Sequence, residues 1–166
     1  SFDSDGKVVT NLLDIYYQNT RAVAVALQTD GKLVVVGLSY GNADYQAHDV
    51  VLRYNSNGSL DASFNNGEPL VRSIGSTDAF ANAVALQPDG KIVVAGNFGY
   101  MPVVLRLNSN GFPDNSFGAN GLLLDDFGVR LNAVVLQPDG KIVVVGDTNI
   151  EGAPSPVKSK FVVARY

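Results

Sequence analysis

The nine residues LQPDGKIVV occur twice without change, at Leu86–Val94 and Leu136–Val144, and once more as LQTDGKLVV at Leu27–Val35. A chain that repeats itself this closely is restricted to folds that use one supersecondary unit several times over. Aligning the copies on Asp30-Gly31, Asp89-Gly90 and Asp139-Gly140 brings other landmarks into the same order. Ser-Phe opens each unit, at Ser1-Phe2, Ser63-Phe64 and Ser116-Phe117. VVLRYNSNG at Val50–Gly58 answers VVLRLNSNG at Val103–Gly111, and VVARY at Val162–Tyr166 is a shorter third version. Three units, approximately residues 1–62, 63–115 and 116–166, fill the chain as a single repeat domain with no linker between them.

Each unit reads as four extended segments. The first is short, as in Lys7–Thr10. The second alternates, as in Ala22–Gln28, Ala83–Gln87 and Ala133–Gln137. The third is nearly all apolar (Lys32–Val36, Lys91–Ala95, Lys141–Val145), and the fourth is Val50–Tyr54, Val103–Leu107 or Val162–Tyr166. Between the second and third, Pro-Asp-Gly has the residues of a tight hairpin: Pro presets φ, Asp caps the turn and Gly accepts a positive φ. Thr29 replaces Pro in the first copy. The repeated stretch is therefore a β-hairpin, with Asp30, Gly31, Asp89, Gly90, Asp139 and Gly140 as structural turn residues.

In the second segment Val23, Val25 and Leu27 share one face, and Ala22, Ala24 and Ala26 the other. Neither face is polar, so both need cover. Large residues on one side and small ones on the other suit similar sheets stacked face to face, as in a β-propeller. The expected fold is all-β, a β-propeller built from three four-stranded units. Three blades do not close such a ring, which takes four to eight. Homodimerisation completing six blades is the preferred solution; a fragment of a longer propeller and a β-trefoil are the alternatives.

Composition limits function. The chain has no Cys, which excludes disulfide scaffolds and thiol chemistry. Its net charge is −4 with dispersed Lys and Arg, so no nucleic-acid surface is expected. No apolar run approaches the roughly 20 residues that cross a bilayer, so no membrane insertion is expected. The chain begins at Ser1 without an initiator Met or signal-like segment, as a processed product or an excised piece would.

The succession of Ser-Phe, AVALQPDGKIVVAG and VVLRLNSNGFPD resembles the delta-60 repeat, a bacterial repeat family of about this period, over all three units. The resemblance implies a propeller-like fold in secreted or cell-surface bacterial proteins, and it brings no catalytic residues. The units depart from the pattern by insertions at Leu12–Thr20, Ser39–Ala47 and Thr148–Lys160.

Candidate sites are few. His48, the single His, precedes Asp49 and reads as a solvated loop residue rather than part of a Ser–His–Asp triad. Asp125 and Asp126 are adjacent, so on a strand they point to opposite faces. No catalytic residue is expected. Asn55, Asn57 and Asp61, and again Asn108, Asn110 and Asp114, have the oxygen spacing of a weak calcium loop; inter-blade turns account for them as well. No other cofactor or metal is expected. Arg53, Arg106 and Arg165 occupy one place in each fourth segment, where each is expected to pair with the Asp of a neighbouring turn. Tyr16, Tyr17, Tyr40 and Tyr45 fall in the first unit's insertions, and Phe98 and Tyr100 in the matching loop of the second. Exposed rings on loops suit a protein or glycan partner. The reading is a non-enzymatic interaction or scaffold module, with a lectin-like propeller and a funnel-sited hydrolase as alternatives.

Overall fold

Each Asp-Gly hairpin closes by the same local bonds. The Gln28 amide donates to the Lys32 carbonyl and the Gly31 amide to the Gln28 carbonyl; Gln87/Lys91 and Gln137/Lys141 repeat the pattern. Gly31, Gly90 and Gly140 hold φ of 83°, 84° and 85°, the left-handed region that costs glycine least. The Asp30 carboxylate accepts the Lys32 amide at 3.1 Å, as Asp89 accepts that of Lys91 and Asp139 that of Lys141.

The structure, a computed structural model, describes residues 2–3, 5–12, 17–41, 46–72, 78–125, 129–148 and 160–166. Among these the strands form three separate antiparallel meanders. The first is β1 (Tyr17–Leu27), β2 (Leu33–Gly41), β3 (Ala47–Tyr54) and β4 (Leu70–Arg72). The second is β5 (Ala79–Leu86), β6 (Ile92–Phe98), β7 (Met101–Leu107) and β8 (Leu122–Leu124). The third is β9 (Arg130–Leu136), β10 (Ile142–Asp147) and β11 (Phe161–Arg165). A single 3-10 turn at Asn65–Gly67 is the one helical element among the described residues.

The sheets are offset from the sequence repeat. The short segment expected to open each unit pairs instead with the strand before it: β4 joins β3, with Val50 opposite Val71, and β8 joins β7, with Val103 opposite Leu124. Residues 7–10 form no strand, and among the described residues the third sheet has three strands rather than the expected four. The Asp-Gly turn holds β1 to β2 locally, whereas the partner of a three-residue segment is decided by packing at a distance.

Every blade carries the same bulge in its first strand. Pairing slips between Ala22 and Ala24, between Ala81 and Ala83, and between Leu131 and Ala133. Gly37, Gly96 and Gly146 lie opposite, where an added Cβ would stand 2.0, 1.9 and 2.0 Å from the carbonyl oxygens of Arg21, Phe80 and Arg130. Only glycine admits that approach.

The sheets stack face to face and bury two apolar layers. Between the first and second lie Val34, Val36 and Val51 against Ile92, Val94 and Leu105, with Leu107 and Phe64 fully enclosed. Between the second and third lie Val93, Ala95 and Val104 against Leu131, Ile142 and Val144. Val84 and Leu86 face the first layer while Ala83 and Ala85 face the second, so large and small residues interdigitate across the stack. These sheets are consecutive blades of a β-propeller. Separate stacked meanders exclude the trefoil, whose units share one barrel. The outer faces of the first and third blades keep exposed Val25, Leu27, Val135 and Val163.

Candidate functional site

The repeated charged residues are bound to one another. Arg53 donates from Nε to Asp61 Oδ2 at 2.7 Å and from Nη2 to Ser63 Oγ at 3.2 Å, with its guanidinium 4.8 Å from the Phe64 ring centroid. Its Nη1 reaches across to the Ser109 carbonyl of the next blade. Lys32 Nζ adds a second cation at 2.9 Å from Asp61, and Ser63 donates to Oδ1. Burial acts to raise the Asp61 pKa, but the bonds from Lys32, Ser63 and Arg53 outweigh it and hold the carboxyl well below its usual range. Arg106 repeats the arrangement with Asp114 at 2.8 Å, Ser116 and the Phe117 ring. Hydrogen bonds from Ser116, and the Arg106 charge, lower the Asp114 pKa to about 2. The third copy departs from expectation. Arg165 is exposed and makes no ion pair among the described residues. The Asp-x-Ser-Phe segments that receive Arg53 and Arg106 follow β3 and β7.

The Asn-rich loops close on themselves. Asn55 donates to Ser59 Oγ and the Leu60 carbonyl, and Asn57 Oδ1 accepts the Ser59 amide at 3.0 Å. Asn108 donates to the Pro113 carbonyl, and Asn110 Oδ1 accepts the Phe112 amide. With the Asp61 and Asp114 carboxylates in ion pairs, each loop is an Asx-type turn in which Gly58 and Gly111 hold φ near 90°. Among the described residues no three His, Asp or Glu side chains are grouped to hold a metal ion.

His48 is not a solvated loop residue. It lies in β3 opposite Ser39, and both are buried. The insertion before it looks loop-like in sequence, but pairing with β2 begins at Ala47, which enrols His48 in the strand. Ser39 Oγ has no hydrogen-bond partner among the described residues. On the opposite face Asp49 is buried beside Arg72, across the β3–β4 pair, and accepts the Ala81 amide of the second blade. Burial raises its pKa to about 7 against the opposing Arg72 charge. Asp125 follows β8 and accepts the Tyr166 hydroxyl at 3.1 Å; burial and that carboxylate push Tyr166 up to about 12. Asp126 lies outside the described residues.

The aromatic candidates among the described residues belong to one end of the blades, opposite the Asp-Gly hairpins. Tyr17 opens β1, Tyr40 is the last residue but one of β2, and Phe98 and Met101 flank the β6–β7 turn. Tyr100 in that turn is 66% exposed, and Tyr40 and Met101 are partly exposed beside their turns. Phe98 is buried with Ala79 and Val103 and presents no ring to solvent. Tyr16 and Tyr45 lie outside the described residues.

A latch that sequence reading missed joins the second and third blades. Asn97 donates to the Val129 carbonyl at 2.6 Å and accepts the Leu131 amide at 3.1 Å. Asn82, at the bulge, donates to Asn97 and to the Leu131 carbonyl. Leu38 and Val23 stand at these positions in the first blade, so no repeated motif marked them.

A family model described as a domain of unknown function (DUF5122) beta-propeller matches residues 28–64, 87–117 and 137–157. A comparison with curated proteins gave no match.

Proposed function

Since the chain belongs to the DUF5122 beta-propeller family, we propose that it is a non-enzymatic interaction or scaffold module whose partner meets the loop end of the blades. The observation that carries this reading is the division of labour between the repeated motif and the loop-end residues. The motif's charged groups hold turns and strands together through Arg53–Asp61 and Arg106–Asp114. Tyr40, in an insertion, and Tyr100, in the matching turn of the second unit, are exposed at one blade end, where rigid scaffolds carry variable contacts. Tyr pairs a large apolar ring with a polar tip and is favoured at protein interfaces. Placement at a bacterial cell surface, or outside the cell, is supported by the likeness of LQPDGKIVV and its neighbours to delta-60 repeats.

The test is a binding screen of the labelled chain against bacterial surface proteins and a glycan array, beside a Tyr40→Ala/Tyr100→Ala variant. A protein ligand retained by the parent and lost by the variant is the expected result. Binding confined to glycans would replace this reading with the lectin alternative. Turnover in a hydrolase substrate screen, abolished by substitution of His48, would overturn it.

A further inference from the structure

We infer that the seam between the first two blades, at its loop end, is a binding site for an amide group, and that its occupant is an Asn or Gln side chain of a protein partner. Asp49 and Arg72 hold that group on the seam's floor, with Tyr40 and Met101 at its mouth.

Strand alternation brings these four residues together. In the first blade Leu38 stands opposite Asp49, and Asp49 opposite Arg72, in one row across β2, β3 and β4. Asp49 shares the face of Val51, and Arg72 that of Leu70, both of which pack in the layer between the first two blades. Tyr40 shares the face of Val34 and Val36, two residues nearer the loop end than Leu38. The second blade supplies the facing wall: Ala81, whose amide donates to Asp49, and Phe98 and Val103, packed with Ala79. Met101 stands two residues before Val103 on the same face of β7. The Asp78 carboxylate accepts the Ala47 amide at 2.7 Å and ties the second blade's entry to the start of β3.

Two atoms in this seam are buried and unsatisfied. Asp49 is 8% exposed and accepts the Ala81 amide, yet its Oδ1 has no hydrogen-bond partner among the described residues. Arg72 Nη1 is buried and unpartnered in the same way. An acceptor and a donor left so in apolar surroundings cost stability. The blade architecture does not require them. In the next seam Asn97 takes the Leu131 amide, the counterpart of Ala81, and donates to the Val129 carbonyl. The strand registers match Asp49 to Pro102 and Arg72 to Asp125, so the second seam is built without this pair. Charged groups kept where the repeat offers a neutral latch point to a ligand rather than to stability.

The two unsatisfied atoms define the ligand's chemistry. An acceptor beside a donor is matched by a group that carries both: a carboxamide oxygen accepts from Arg72 Nη1, and its N–H donates to Asp49 Oδ1. An anion would answer Arg72 but meet the Asp49 carboxylate as a like charge, and a cation would do the reverse. Asn97 shows that a carboxamide fits between two blades at this level. Tyr40 and Met101 suit the carbon stem of an Asn or Gln side chain. Arg72 is half-buried and Tyr40 and Met101 are partly exposed, so rotation of side chains at the mouth opens a way to the pair.

The site lies at the loop end and rests on the interaction-module reading. Its test is a titration of the isotope-labelled chain with the capped tripeptides Gly-Gln-Gly, Gly-Glu-Gly and Gly-Leu-Gly, followed at the Ala81 amide resonance. A saturable shift with the Gln peptide alone is expected. Asp49→Asn, which keeps an acceptor for the Ala81 amide, and Arg72→Gln should each weaken that binding about tenfold or more with an unchanged circular dichroism spectrum. The ligand N–H needs the ionised Asp49 carboxyl, whose pKa burial raises to about 7. Affinity should therefore rise with pH, about tenfold between pH 6 and 8. Around Asp49, β4 brings Arg72, β2 brings Tyr40, β3 carries His48 on its other face, Asp78 stands just before β5, and β5 and β6 bring no titratable side chain. A Glu peptide that binds instead, more tightly as pH falls, makes this a carboxylate site and overturns the inference. Equal shifts from the Leu peptide, or no saturable shift from any of the three, overturn it too. A protein ligand lost from Tyr40→Ala/Tyr100→Ala but fully retained by Asp49→Asn and Arg72→Gln overturns this site and leaves the module reading standing. Gln-peptide binding with no protein ligand found in the screen upholds the site and counts against the module reading.

Discussion

Asp49 makes the stability of the first two blades depend on pH in an unusual direction. Its carboxyl is buried between blades, with Oδ1 unpartnered among the described residues, and its pKa rises from 3.8 to about 7. The folded state thus binds this proton more tightly than the unfolded chain does. Stability from the protonated group is fully present below pH 3.8 and is lost as pH climbs through 7. The span between the two pKa values, at about 1.4 kcal/mol per unit, corresponds to a loss on the order of 4 kcal/mol. Asp61 and Asp114 act in the opposite sense, but theirs is lost only as pH falls below the ordinary carboxylate range, so the windows separate. Asp49→Asn keeps an acceptor for the Ala81 amide and removes the titration. Urea unfolding of both proteins at pH 4.5, 6 and 8 should show the parent losing stability with rising pH relative to the variant, by several kcal/mol at the top of the range. Parallel curves for the two proteins would refute the reasoning, because the carboxyl would then not be held protonated by its burial.

Gly96→Ala places a methyl 1.9 Å from the Phe80 carbonyl oxygen, and urea denaturation should show a loss of about 3 kcal/mol. Gly140→Ala meets nothing within 4 Å and carries only the backbone cost of φ 85°, so about 1 kcal/mol is expected in the same assay. Leu107→Ala empties a fully enclosed position between the first two blades and should lower stability by about 2–5 kcal/mol in a thermal or urea melt. Asn97→Ala leaves the Leu131 amide and Val129 carbonyl without their partner; about 2–4 kcal/mol should be lost, and hydrogen exchange at Leu131 should speed up.

Much of the blade was legible because its causes are local. Asp30-Gly31 and its two copies specify the hairpin within five residues, and apolar residues on both faces of the second and third segments require stacking. The position of the exposed Tyr40 and Tyr100 at one blade end follows from the same hairpin order. Misreadings came where the cause lay far away in the chain. His48 sits after a polar insertion, so sequence placed it in solvent, whereas pairing with Ser39 buries it. Arg165 repeats Arg53 and Arg106 in sequence, but the carboxylates that answer those two come from turns well beyond their strands, and no described carboxylate is brought to Arg165. Asn97 was invisible because its counterparts Leu38 and Asp147 differ from it, and a repeat alignment reveals only what is shared.

By itself, then, the sequence determined the repeat, its turns and the requirement that each sheet be covered on both sides, since these depend on neighbouring dihedral angles and on side-chain alternation. Tertiary structure alone decided which strand the short segments join, β4 closing on β3 and β8 on β7 while residues 7–10 form no strand. A three-residue strand carries too few hydrogen bonds to choose its own partner; the apolar layers between blades choose it.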